Sequence, residues 1–248
     1  MNLLNRIMHV RMVLQNVFYV SYLIPASRVL PLVPKELPLA TIEQSKVFIS
    51  VVALRSTGVR ASLLPFPSFN YSQINVRTYV KDPQTGKQAV YFLKSGVTSA
   101  VVSLLTRTIG IPWQHIDFDL RVATVTPNHY TTCEVSGYWY GEFSLQARGT
   151  QIPPRHIPPF EETKSAIEYL VRPLIGCFGR EGRVRRFSIW HPEVTPFEGR
   201  MESFHFPVLN SLNLVDEEEM MDPQSVLFVP QARFDIYLPA TRVRMTAV

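Results

Sequence analysis

Apolar and polar residues alternate along most of this chain, which is the pattern of β-strands with one buried and one exposed face. The alternation is most regular over residues 116–122 and 232–238. Five turn-forming residues, 82–86, are typical of a hairpin connection between two strands. The sequence therefore predicts a mainly antiparallel β structure. Its further predicted strands are residues 12–23, 46–54, 73–80, 87–94, 133–145, 185–191 and 201–206.

Helical spacing is confined to a few short segments. Residues 97–109 are the strongest candidate, because Ser95 or Thr98 can cap the first turn and Gly110 can end the last. The residues that share one face of this helix are Val101, Leu104, Leu105 and Thr108. The other predicted helical segments are residues 161–170, with acidic residues in the first turn, and residues 27–32, which fit a single turn.

Composition supports a globular fold. Hydrophobic residues make up 46% of the 248 residues and charged residues only 18%, which is enough apolar material for a packed core and unlike a disordered chain. The 20 prolines against 11 glycines favour short strands and rigid loops over long helices. With strands before, between and after a central helix, we expect one α+β domain over residues 1–248.

Cysteine content and charge narrow the class of protein further. Cys133 and Cys177 form no Cys-x-x-Cys motif, so neither a zinc ribbon nor a disulfide scaffold is indicated, and a cytoplasmic location is expected. The net charge of +5 permits an anionic ligand, but basic residues are dense only at 180–186, which fits a solvated hairpin tip better than a nucleic-acid site. The apolar stretch 13–24 is shorter than the roughly 20 residues of a membrane span. We therefore expect no nucleic-acid partner, membrane span or signal peptide.

The common catalytic and cofactor motifs are absent from the sequence. It contains no G-x-S-x-G, Walker, G-x-G-x-x-G or H-E-x-x-H motif. Its histidines do not occur at a metal-ligand spacing such as i, i+4. These absences predict a protein with no metal and no cofactor. The histidines lie at positions 9, 115, 129, 156, 191 and 205.

Several polar residues in apolar surroundings are candidates for ligand binding. Residues 75–80 alternate Asn75, Arg77 and a tyrosine with two valines and a threonine, so in a sheet closed around a cavity Arg77 could bind a carboxylate with both guanidinium nitrogens. The alternative is a solvated strand face. Lys94 ends an apolar strand, where burial would lower its amine pKa towards the nucleophilic range, although a lysine at a strand exit is more often exposed. Arg107 fits either a ligand cation or a cap for helix carbonyls.

Trp113, Gln114 and His115 follow the predicted end of the central helix. In a barrel-like β fold, the turn from a helix into a strand directs side chains towards the mouth, where ligands bind. Trp113 is therefore a candidate ligand wall. The alternative, equally consistent with the sequence, is a core aromatic residue whose indole N–H bonds a carbonyl.

Motifs in order along the chain carry a family resemblance. They are Gln15-Asn16-Val17-Phe18-Tyr19, residues 25–34 closing on Leu32-Val33-Pro34, residues 75–80, residues 90–93 and Gly110-Ile111-Pro112-Trp113. With looser agreement at 160–162, 182–184, 189–192 and the strand before Pro239, the chain resembles the uncharacterised YqjF-like branch of the acetoacetate decarboxylase-like superfamily. The resemblance implies antiparallel strands curled into a double cone around a central cavity, with a few helices and often an oligomeric assembly.

The resemblance also implies a loss of the decarboxylase chemistry. Those enzymes form a Schiff base on a lysine next to a second lysine, at the places that Trp113 and Gln114 occupy here. The decarboxylases' arginine and acidic positions correspond to Gln15, Ile49 and Gln73. Because an imine requires a primary amine, we expect no Schiff-base decarboxylation.

Three functions are compatible with these observations. The first is binding of a small, partly apolar, anionic or carbonyl-bearing molecule in a central cavity. The second is a lyase or isomerase acting on a keto or hydroxy acid, with Lys94 or His115 as general base. The third is a structural or assembly partner, and the resemblance also implies a homo-oligomer. The candidate ligand-binding residues are Gln73, Asn75, Arg77, Arg107, Trp113 and Gln114.

Overall fold

The computed structural model describes residues 8–43, 45–62, 64–126, 129–150 and 152–243. The strands there are β1 (Met8–Pro25), β2 (Lys46–Ala61), β3 (Leu64–Lys81), β4 (Gln88–Val97), β5 (Gln114–His115), β6 (Asp117–Thr126), β7 (His129–Tyr138), β8 (Glu142–Gly149), β9 (Ile175–Phe178), β10 (Arg185–Trp190), β11 (Phe197–His205) and β12 (Ser225–Arg242). The helices are α1 (Ala26–Val29), α2 (Ala100–Thr108), α3 (Thr163–Val171) and α4 (Pro207–Ser211), with 3₁₀ turns at Leu30–Leu32 and Glu219–Met221.

Seven strands form a closed barrel in the order β1-β2-β3-β4-β9-β10-β12. The barrel closes because β12 pairs with β1 along nearly its whole length, from Met8 opposite Leu238 to Ser21 opposite Ser225. Neighbouring strands are antiparallel except β4 and β9, which run parallel. Closure leaves no unpaired edge in this part of the sheet. The prediction of a closed, mainly antiparallel α+β fold is confirmed.

A second layer covers part of the outside of the barrel. It contains β11, β8, β7 and β6, and it is joined to the barrel where Phe197 and Glu198 of β11 pair with β12. Gly199 is required at this junction, because a Cβ there would overlap Phe228. The apolar core between the layers includes Phe18 and Val51 of the barrel.

The opposite faces of the same strands form the barrel interior. Tyr19, Phe48, Val52 and Tyr79 lie in this inner core, which also contains buried side chains of α2 and α3. Alternation along each strand therefore separates two cores, since successive side chains point to opposite faces of a sheet. Leu170 of α3 is completely buried in the inner core.

Three local predictions differ from the structure. The predicted strand 133–145 is wrong as one element, because Tyr140 and Gly141 adopt positive φ values of 60° and 150° and turn the chain between β7 and β8. The cap of α2 is Ser99, whose side chain accepts a hydrogen bond from Val102 N at 3.3 Å, rather than Ser95 or Thr98. The helix predicted over 161–170 begins at Thr163, so its acidic residues precede the first turn.

Other local predictions are confirmed. The segment 82–86 connects β3 to β4, and the dense basic segment 180–186 includes the turn between β9 and β10, where Gly182 has φ 75°. Among the described residues, no helix combines the length and apolar character needed to cross a membrane. A cytoplasmic location and a homo-oligomeric state stay predictions.

Candidate functional site

A cavity of about 520 Å³ lies at one end of the barrel, against α2 and the segment that follows it. Its wall is almost entirely apolar. Such a lining is typical of small-molecule sites, in which apolar contact supplies affinity and a few polar groups set orientation. Wall residues from six different segments include Met12, Tyr71, Phe92, Val102, Trp113 and Ile236.

The end of α2 positions the segment that completes the cavity. Gly110 has φ 84°, and the amides of Gly110 and Ile111 donate to the carbonyls of Arg107 and Thr106 at 3.0 and 2.9 Å. This pattern is a Schellman motif, in which glycine adopts the left-handed conformation without steric cost. The prediction that Gly110 ends the helix is confirmed, and the reversal returns the chain along the cavity wall.

The orientation of α2 differs from that of an ordinary amphipathic helix. Val101, Leu104 and Leu105, which the helical spacing places on one face, are 54%, 65% and 50% exposed. The buried side of α2 instead consists of Val102 and Ser103. Periodicity identifies which residues share a face, whereas packing over the cavity decides which face is covered. Since Leu105 also lines the cavity, apolar surface continues from the cavity to the exterior.

Trp113 is half-buried in the cavity wall, with its ring centroid 6.1 Å from that of Tyr71. Its carbonyl accepts hydrogen bonds from Ser103 Oγ at 2.9 Å and from Arg107 Nε at 3.2 Å. These bonds fix the backbone of Trp113 relative to α2. Exposed Arg107 therefore stabilises the turn through a backbone carbonyl and is not among the cavity-lining residues.

Gln114 also lines the cavity, and its side chain bonds a residue of the outer layer. Its Oε1 accepts a hydrogen bond from Trp139 Nε1 at 2.9 Å. Gln114 lies opposite Gly96 in the parallel β4–β5 pair. A Cβ at Gly96 would overlap Ile116, so glycine allows this segment to approach β4 closely.

The two candidate general bases, Lys94 and His115, have partners on different elements of the structure. Lys94 belongs to the cavity wall, but its Nζ donates to Tyr140 Oη at 2.8 Å and lies 5.2 Å from the centre of that ring. His115 is exposed, with its Nε2 3.9 Å from an oxygen of Asp117. Lys94 thus contacts the β7–β8 turn, whereas His115 lies beside β6.

Gln73, Asn75 and Arg77 lie on the interior face of β3, in alternation with residues that face the outer layer. Gln73 and Asn75 are buried, 8% and 3% exposed. Asn75 pairs across the sheet with Ser95, which is 4% exposed and lines the cavity. Asn75 Oδ1 and Ser95 Oγ have no hydrogen-bond partner within the described part of the chain. Sequence patterns predict Ser95 only as a helix cap, so its place in the site comes from strand pairing.

Arg77 lies further from the cavity, towards α3. Its Nη2 donates to the Leu170 carbonyl at 2.7 Å, and its guanidinium carbon lies 5.2 Å from the Tyr19 ring centre and 5.7 Å from that of Tyr79. The ion pairs of the described residues do not include Arg77. The carbonyl end of α3 and two aromatic faces stabilise its charge.

A buried hydrogen-bonded network surrounds this end of the barrel. Tyr79 Oη bonds both the Leu170 carbonyl, at 2.9 Å, and Ser50 Oγ, at 2.8 Å, and Ser50 Oγ in turn bonds Ser21 Oγ at 2.8 Å. Burial lowers the pKa of nearby His191, and the charge of Arg77 acts in the same direction. The sequence indicates Tyr79 through its alternation with Arg77, but gives no signal for Ser50 or His191.

The three positions that the resemblance aligns with other polar residues of the decarboxylases are dispersed. Ile49 lies in the core between the layers, and Gln15 is half-buried beside a bulge where Asn16 has φ 55°. Only Gln73 of these three faces the barrel interior from a fully buried position. The interior near the cavity thus has amide and hydroxyl groups.

A protein-family model, DUF2071, described as an uncharacterized conserved protein, matches residues 11–233. A search of curated proteins found no match.

Solved structures share the fold at low sequence identity. An enduracididine biosynthesis enzyme, MppR, complexed with the condensation product of pyruvate and imidazole 4-carboxaldehyde, has a TM-score of 0.60 and 12% identity, over 97% of this chain and 90% of that one. An acetoacetate decarboxylase-like enzyme from Sphingomonas wittichii RW1 has a TM-score of 0.60 and 13% identity, over 96% and 94%. An acetoacetate decarboxylase from Legionella pneumophila has a TM-score of 0.59 and 11% identity, over 95% and 86%.

Proposed function

The chain belongs to the DUF2071 family of uncharacterized conserved proteins, and from its site we propose that it binds a small, largely apolar molecule at the α2 end of the barrel without forming a Schiff base. The observation that carries this proposal is the apolar cavity of about 520 Å³. The structural relative MppR, complexed with pyruvate and with a condensation product of pyruvate, supports a small-molecule function for the fold.

The residues at the cavity wall support binding without imine formation. Trp113 and Gln114 both line the cavity, and neither has a primary amine. The Nζ of Lys94 bonds Tyr140. A Schiff base requires an unprotonated amine beside the carbonyl carbon of the substrate.

The lyase or isomerase alternative requires a carboxylate-binding Arg77 close to a general base. Arg77 donates to the carbonyl end of α3, Lys94 to the β7–β8 turn, and His115 lies beside Asp117. General acid–base catalysis requires the base within hydrogen-bond reach of the substrate proton. This arrangement favours the binding function.

Tryptophan fluorescence tests the proposed cavity directly. Addition of 1-octanol as a neutral apolar probe is expected to shift the emission of the wild-type protein, and Trp113→Phe is expected to lose most of that change, since Trp113 lies in the cavity wall. Trp190→Phe is the matched control, because Trp190 is 47% exposed and is not a wall residue. An equal response in Trp113→Phe would place the probe elsewhere. No response in the wild type would contradict the proposal and favour the assembly-partner function through the apolar face of α2.

Reductive trapping tests the absence of imine chemistry. Incubation with pyruvate or acetoacetate and borohydride is expected to leave the intact mass unchanged, because Trp113 and Gln114 have no amine and the amine of Lys94 bonds Tyr140. A stoichiometric adduct measured by mass spectrometry would overturn this expectation. Localisation of the adduct to Lys94 by peptide mapping would favour the lyase alternative.

A further inference from the structure

Ser95 of β4 lines the cavity, and Asn75 of β3, its partner in the sheet, lies next to it without being a wall residue. Ser95 and Asn75 lie directly opposite each other and are 4% and 3% exposed. Ser95 Oγ and Asn75 Oδ1 have no hydrogen-bond partner in the described part of the protein. Leaving a buried polar atom unpaired costs stability, so such atoms often mark a site where another molecule supplies the partner.

The charges around this pair disfavour a carboxylate ligand at Ser95. A carboxylate in an apolar cavity requires a paired cation, because its desolvation is otherwise very costly. The cationic side chain of the described cavity wall is Lys94, and its Nζ bonds Tyr140. The other cation considered, Arg77, is not a wall residue; its Nη2 donates to the Leu170 carbonyl, while its Nε has no hydrogen-bond partner in the described part of the protein.

The unpaired atoms also define the complementary group. Asn75 Oδ1 accepts hydrogen bonds, and Ser95 Oγ both donates and accepts. A hydroxyl or a primary amide satisfies both atoms, because it offers a donor to Asn75 and an acceptor to Ser95. An ether or a hydrocarbon cannot donate to Asn75.

We propose that the ligand of the cavity is an uncharged amphiphile, an alcohol or a primary amide, whose polar group bonds Ser95 and Asn75 while its apolar part lies beneath α2. This inference rests on the proposed binding function and specifies its ligand class. It differs from the sequence-based expectation of an anionic ligand held by Arg77.

Matched probes that differ only in the head group test the proposal. Titrations of 1-octanol, octanamide and octanoate are made at neutral pH, where the acid is ionised, and followed by Trp113 emission and calorimetry. The alcohol and the amide are expected to bind about tenfold or more tightly than octanoate, because the carboxylate is desolvated without a cation. Octyl methyl ether, which accepts but cannot donate, is expected to bind more weakly than the alcohol.

Two serine variants separate ligand recognition from general stability. Ser95→Ala is expected to weaken 1-octanol binding about three- to tenfold and to leave the thermal midpoint of the free protein unchanged or higher, since the Ser95 hydroxyl has no partner among the residues that the structure describes. Ser50→Ala removes the same group from a buried serine with two partners. It is expected to lower the midpoint and to leave the alcohol-to-octanoate preference intact.

The outcomes distinguish a failure of the neutral-ligand inference from a failure of the proposed binding function. Octanoate binding as tightly as 1-octanol with a normal Trp113 response, or an unchanged alcohol affinity in Ser95→Ala, would overturn the neutral-ligand inference and leave the cavity function standing. No Trp113 response to any probe would overturn both.

Discussion

Replacing Leu170 by alanine is expected to lower the free energy of unfolding by about 2–5 kcal/mol. Leu170 is completely buried in the inner core of the barrel, on α3. The truncation leaves a cavity and removes apolar contacts that hold α3 against the strands. Its carbonyl, which accepts from Arg77 and Tyr79, depends on the same placement. Urea denaturation with linear extrapolation measures the change.

Lys164→Ala is the matched control, since Lys164 lies on the exposed side of the same helix. It is expected to change the free energy of unfolding by less than about 0.5 kcal/mol. A similar small effect for Leu170→Ala would mean that α3 does not pack in the barrel. Because the cavity lies against α2, folded Leu170→Ala protein is expected to retain probe binding.

Thr106→Phe is expected to weaken the binding of 1-octanol by about tenfold or more, because the larger ring occupies cavity volume that the probe requires. Thr106 lines the cavity beside Trp113 and is half-buried. Its Oγ1 bonds only carbonyls of its own helix, Val102 at 2.8 Å and Ser103 at 3.0 Å. The substitution therefore removes none of the hydrogen bonds seen between helix and barrel in the described part of the protein. Calorimetric titration measures the affinity.

Leu104→Phe provides the comparison on the opposite side of α2. Leu104 is 65% exposed and is not a wall residue. Its variant is expected to bind the probe with wild-type affinity. Equal affinities of wild type and Thr106→Phe would show that 1-octanol does not occupy this cavity.

The sequence predicted local structure best in two cases: where a single residue decides the backbone conformation, and where alternation along a strand separates its two faces. Alternation in 73–80 predicts a strand whose odd residues share a face, and Gly110 predicts the end of α2. Both are confirmed. The four-residue strand β9 escapes prediction because it is buried throughout and has no polar alternation. The turn at Tyr140 escapes because a positive φ at tyrosine has no compositional signal.

The candidate site depends on contacts between distant segments. Trp113 is identifiable from its place after a helix stop, but its partner Tyr71 lies 42 positions earlier in the chain and meets it only across the barrel mouth. Ser95 becomes a site residue through its register with Asn75. Arg77 has the interior orientation that alternation allows, while the carbonyl end of α3 determines its partner.

The sequence by itself determined most element types, because these follow from local periodicity and turn residues, whereas the closed sheet and the expected loss of the Schiff-base lysines were implied by the family resemblance. Only the tertiary structure decided which face of α2 is buried, that an apolar cavity lies beside it, and that two buried polar atoms of the β3–β4 pair lack partners among the described residues. The physical reason is that burial, strand register and hydrogen-bond satisfaction are properties of pairs of residues far apart in the chain. The residue pattern within one segment determines which face of the segment a side chain lies on, and the packing of the other segments determines which residues it contacts.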